Sequence, residues 1–223
     1  MCKMFIVAKR HYAIYTNRKN NRRNKNPKIL NRAIVLPIGT LAIVGLIFFL
    51  SSAYEPSWMF NWQEIRPEIR DTVKLLERYG SVTSGVVGYA GKTPQQWHRR
   101  KWLMKNATED ELTKLIGHPS GTVKATAYEG LIRKPNSDNY KLINQALNDT
   151  TTFFNYLSGC VGFPMMIGEY LVENVIPISD RVPPPPPEKV IEYNLSESEI
   201  VNLRKLYNER IDKKEEYLRK IYK

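Results

Sequence analysis

The chain has 223 residues with 34 Lys and Arg against 22 Asp and Glu, a formal net charge of +12, three His and two Cys. Two cysteines are too few for a disulfide-built scaffold, and no HExxH or paired-Cys spacing accompanies the histidines, so neither a metal nor a cofactor is expected. The charge is concentrated in the first 32 residues, which hold ten Lys or Arg and no Asp or Glu, whereas residues 33–223 net only +2. A near-neutral main domain excludes a nucleic-acid partner for it on electrostatic grounds.

Residues 1–32 therefore read as a basic arm suited to anionic lipid headgroups. Residues 33–50, Ala33 to Leu50, follow without a single charge. As a helix, this stretch would be roughly 27 Å long, close to the hydrocarbon thickness of a bilayer. The first acidic residue is Glu55. Positive charge on one flank predicts a single-pass span of the cytoplasmic (inner) membrane, with the arm inside and the main domain outside, in the periplasm. Ser51-Ser52-Ala53 also suits signal-peptide cleavage, which would release a soluble exported domain. In either case the membrane separates Cys2 from Cys160, so no intrachain disulfide is expected.

The main domain is read as residues 54–182. Trp58, Phe60 and Trp62 either sit at the membrane interface or cap the globular core. Ile65, Ile69, Val73 and Leu76 predict a helix from Gln63 to Tyr79 that Gly80 terminates. SVTSGVVGYAG then reads as a Gly-rich connection. Thr93, as cap before Pro94, opens a helix to about Lys105. Gly91-Lys92-Thr93 lacks the upstream glycine of a P-loop, since position 86 is Val86.

Thr108 and Glu111 form a capping box for a short helix bearing Leu112, Leu115 and Ile116. After the turn His118-Pro119-Ser120-Gly121, Val123, Ala127 and Leu131 mark one face of a helix from about Thr122 to Arg133. LTKLIGHPSGTVKATAYEGL resembles a HEAT-type helical repeat over residues of about 108–133, through Leu112, Leu115, Val123, Lys124, Ala127, Gly130 and Leu131. Lys124 stands where Arg is commoner, and Gly130 where Ala is commoner, which should loosen that helix. The run from Gly88 to about Pro177 also resembles bacterial membrane-anchored or exported proteins with one HEAT-like segment. The resemblance implies a mainly α fold, a compact HEAT-like helical domain that buries a core by stacking helix pairs. Asp138–Leu147 and Phe163–Val175 are candidates for a degenerate second pair. TTTFFNYLSGCVG between them is β-branched and aromatic enough for an extended excursion instead.

Residues 183–187 are five consecutive prolines, a polyproline linker. Ser196 and Glu199 cap an amphipathic C-terminal helix within residues 188–223, with Ile200, Leu203, Tyr207, Ile211, Leu218 and Ile221 as its apolar stripe.

No catalytic constellation emerges, so the chain is not read as an enzyme. Cys160 is the one candidate nucleophile, with His98 or His118 as base, and defines an envelope enzyme as the alternative. The sequence instead favours a protein-interaction or scaffold module that engages another protein of the cell envelope. The candidate partner-binding residues are Arg99, Arg100 and Lys101 on the Trp-and-base helix, and Leu203, Tyr207 and Ile211 on the tail; the alternatives are an ordinary amphipathic helix with its bases in solvent and a tail that folds back on its own domain or dimerises.

Overall fold

A computed structural model of the protein describes residues 27–52, 56–181 and 193–221. Residues 1–26 of the basic arm, Ala53 of the cleavage site and the polyproline linker lie outside the described residues. The chain divides into two units, Met1–Tyr54 and Glu55–Lys223.

In the first unit, Pro27–Ser52 form one helix, α1. It begins six residues before the expected boundary at residue 33, with proline at its first position, where a missing N–H costs nothing. Pro37 is accommodated inside it, and the Thr40 hydroxyl donates to the Pro37 carbonyl at 2.9 Å. From Val35 to Phe49 the large apolar side chains are exposed. Among the described residues, no helix is long and apolar enough to cross a membrane.

The second unit is mainly helical with one small sheet. A 3₁₀ turn at Pro56–Met59 leads to α2 (Pro67–Tyr79), β1 (Ser81–Val87), α3 (Gln95–Asn106), α4 (Glu109–Leu115), α5 (Gly121–Ile132) and α6 (Asn139–Asn148). Then come β2 (Phe153–Gly159), β3 (Val161–Met166), α7 (Ile167–Tyr170, continued by a π-helical turn over Leu171–Val175) and α8 (Glu197–Ile221).

Several boundaries follow the expected local chemistry. Gly80 ends α2 in the left-handed conformation at φ 73°, which a side chain would strain. The Thr108/Glu111 capping box is closed in both directions, at 3.2 and 2.9 Å. Ser196 and Glu199 exchange the same pair of bonds ahead of α8. Two starts are corrected. α2 begins at Pro67 rather than Gln63, because Glu64 takes a positive φ of 66° that breaks the helix. α3 begins at Gln95 with Pro94 as its extended cap, displacing Thr93 from that role.

The larger correction is the sheet. Ser81–Val87, expected as a connection, is a strand whose Val82 and Thr83 are fully buried. It pairs in parallel with β2 through Ser81–Asn155, Val82–Tyr156 and Thr83–Leu157, and β2 pairs antiparallel with β3. The extended alternative for TTTFFNYLSGCVG is thus the arrangement present. Gly159 and Cys160 make the two-residue turn, with Gly159 at φ 55°. Four helices, α3 to α6, fill the parallel crossover.

Two apolar clusters flank α5. One joins α2, α4 and Leu103 of α3 to Val123, Ala127 and Leu131, the face expected from their spacing. The other joins the sheet, α6, α7 and α8 to Ala125, Tyr128 and Ile132 on the other side of the same helix. A helix with apolar residues all round is a core helix, and α5 is buried along nearly its whole length. Gly130 permits this packing, since a Cβ there would lie 3.1 Å from Leu112 and 3.3 Å from Met104.

Candidate interaction surface

α3 is divided by its own spacing. Gln96, Arg100, Leu103 and Met104 recur at four, three and one and turn inward. The amide of Gln96 donates to the Ser81 carbonyl at 3.0 Å, and Nη1 of Arg100 donates to the Thr83 carbonyl at 2.9 Å. These carbonyls are two apart on β1, so α3 covers the strand edge that would otherwise invite pairing.

Arg100 is the centre of a buried polar cluster. It is 4% exposed and pairs with Glu129, while its Nη2 also donates to the Tyr170 hydroxyl at 2.5 Å and its Nε to Thr126 Oγ1 at 3.3 Å. Tyr170 passes its own hydrogen to Glu129 at 2.7 Å, and Arg133 holds the other carboxylate oxygen at 2.8 Å. Burial works against an ionised Glu129, but the charges of Arg100 and Arg133 and the bonds from Tyr170 and Arg133 hold it below the usual carboxylate range. Burial likewise opposes the charge on Arg100, and Tyr170 and Glu129 overcome it, raising its pKa. Each guanidinium nitrogen of Arg100 and each carboxylate oxygen of Glu129 has a partner within the fold, which is what a buried charge requires. The expectation that Arg100 meets a partner is therefore corrected: its guanidinium joins β1, α3, α5 and α7.

Arg99 is half-buried, and Lys101 is exposed. The ammonium of Lys101 lies 5.3 Å from the Trp97 ring centroid. His98, Lys101, Trp102 and Lys105 form the outward face of α3.

Of the two readings of the tail, the one folded back on its own domain is present. Leu203, Tyr207 and Ile211 are 1%, 1% and 6% exposed and belong to the sheet-side core of their own chain, so the face proposed for a partner is taken up internally. Tyr207 hydrogen-bonds Glu173, and Lys214 reaches both carboxylate oxygens of Glu169 at 2.8 and 2.6 Å. The amphipathic stripe was legible; what it packs against was not, because an internal core and a partner groove demand the same pattern.

The nucleophile alternative gains no geometry. Cys160 is exposed at the β2–β3 turn. His118 is buried, with its ring 4.8 Å from Phe60 and 5.7 Å from Trp62. Its Nδ1 accepts the Ser120 amide at 3.1 Å, and burial, helped by the charge of Lys124, lowers its pKa to about 4. A neutral, enclosed imidazole of this kind is a packing group. His98 instead meets Trp97 edge-on, 5.1 Å between ring centroids. Among the described residues, no group of three or more His, Cys, Asp or Glu is placed to hold a metal ion.

Sequence reasoning missed one surface. Val86, Tyr89 and Val161 are 56%, 102% and 60% exposed, and Phe163 is 39% exposed. Val86 on β1 and Val161 on β3 lie on the two outer strands, and Tyr89 just past β1, toward the turn end of the sheet where the Gly88 amide donates to the Gly159 carbonyl at 2.7 Å. Farther along β3 the edge is blunted by Pro164, whose carbonyl accepts from Lys214. The available signal was the β-branched content of the run, Val82, Thr83, Val86 and Val87 within seven residues. No family model, curated protein or solved structure matches this chain.

Proposed function

We propose that the chain is a membrane-anchored, HEAT-like helical scaffold that engages another protein of the cell envelope through the apolar end of its sheet. The anchor is the uncharged stretch Ala33–Leu50 behind a purely basic arm, with the main domain outside the cytoplasmic membrane. The observation that carries the interaction is the exposure of Val86, Tyr89 and Val161, large apolar side chains left in solvent toward one end of the sheet. Tyr and β-branched residues supply contact area at low entropic cost, as docking surfaces require.

Photo-crosslinking side chains at Tyr89 and at Val161, with Lys141 as an exposed control, test this in intact cells. The same protein should be captured from both sheet positions and not from Lys141. A membrane-bound chain that captures nothing from either position removes the interaction.

A further inference from the structure

We infer that the outward face of α3 and the turn at Trp58–Met59 rest together on the anionic headgroup layer of the bilayer that holds the anchor. This rests on the membrane-anchor reading above. α3 contains no Asp or Glu, and its exposed residues His98, Lys101, Trp102 and Lys105 fall at i, i+3, i+4 and i+7, one continuous stripe. Much of the domain's other basic charge is spent internally: Arg66 on Glu111, Lys124 on Asp149, Arg181 on Asp212 and Lys214 on Glu169. Among the described residues, neither Lys101 nor Lys105 has a carboxylate partner, and Trp102 remains 40% exposed.

The second part is apolar. Trp58 is 60% exposed and Met59 95%. Neighbouring Ser57 is clamped by the carboxylate of Glu77, through its amide at 3.0 Å and its hydroxyl at 2.6 Å. One residue earlier on α2, the Leu76 carbonyl accepts from Gln96 of α3 at 3.4 Å. Both features are therefore fastened to the last turn of the same helix. Aromatic rings with a polar edge favour the headgroup level, and lysines are drawn to anionic lipid. The bilayer is also the polyanion nearest in chain length. In the sequence, Trp58 follows the uncharged stretch that ends at Leu50 by eight residues.

The test reconstitutes the full chain in nanodiscs of phosphatidylcholine with phosphatidylglycerol, some discs carrying brominated acyl chains that quench nearby indoles. The chain has four tryptophans. If Trp58 and Trp102 are the two at the surface, roughly half of the emission is quenchable. The Trp58→Phe/Trp102→Phe variant should lose that quenching. Lys101→Glu/Lys105→Glu should lose the Trp102 share, as should phosphatidylcholine alone or high salt. Unchanged melting in detergent is the folding control. Co-elution with discs but no quenching overturns this inference and leaves the anchor standing. Failure to co-elute with discs of either composition overturns the anchor, and this inference with it. Quenching of the Trp102 share that survives charge reversal and high salt overturns the assignment of α3 to anionic headgroups.

Discussion

At the scale of single residues, neighbouring arginines have opposite fates. Arg99 and Arg100 are chemically alike, yet one helical step sends Arg100 to Glu129 and Tyr170. Removing one partner of a buried pair leaves a stranded charge, so Arg100→Met should cost about 3–5 kcal/mol in urea unfolding. Arg99→Met should stay within roughly 0.5 kcal/mol of the parent. His118 gives the second residue-level expectation. Its folded pKa of about 4 lies below the ordinary histidine value of 6.5, so the unfolded chain binds more protons between those values and stability falls as pH drops through that window. On this basis the loss between pH 7.5 and 4.5 is on the order of 2–3 kcal/mol. His118→Asn, which keeps an acceptor for the Ser120 amide, should flatten it when urea midpoints are compared across that range. Glu111 and Asp149, each lowered to about 2 by their bonds and basic partners against the opposing effect of burial, contribute stability present above pH 4.5 that disappears only on further acidification.

At the scale of elements, what could be read depended on whether the chemistry was local. Thr108/Glu111, Ser196/Glu199 and Gly80 announce helix ends because a cap is decided within three or four residues. The face of α5 carrying Val123, Ala127 and Leu131 was visible in its spacing, but the opposite face was not, because a helix between two cores has no polar side to mark it. β1 was hidden for another reason. Its partner, β2, lies some seventy residues away, and Gly85 and Gly88 imitate a loop. Of the candidate site, Lys101 was placed on an exposed face, Arg100 was not, and the apolar end of the sheet went unseen with the strand itself. Close packing between elements gives a further expectation. A Cβ at Gly168 would lie 2.6 Å from the Cα of Leu147, so Gly168→Ala should separate α7 from α6 and cost about 1–3 kcal/mol, read from the thermal midpoint. Gly130→Ala meets side-chain atoms of Leu112 and Met104 rather than backbone and should be much milder.

At the scale of the whole molecule, the C-terminal helix changes how a deletion would be interpreted. Removing residues 183–223 takes Leu203, Tyr207 and Ile211 out of the sheet-side core. A truncated chain should therefore lose its cooperative thermal transition and bind a hydrophobic dye. Lost partners in that background would report unfolding rather than a missing docking helix. Tyr207→Ala alone should lower stability by about 3 kcal/mol or more in denaturant titrations, as truncation of a large buried aromatic does.

The Arg100 cluster also bears on biosynthesis. Its members are spread from Thr83 to Tyr170, and the adjoining core is completed by Ile211. No early portion of the chain can satisfy its own buried charge as it leaves the ribosome or a translocation channel. Arg100 must wait, hydrated, for Glu129 and then Tyr170, and the sheet-side core must wait longer for Leu203. Folding thus becomes a late, all-or-nothing event, in which a chain interrupted before its final helix is left as a substrate for proteolysis rather than a smaller working domain.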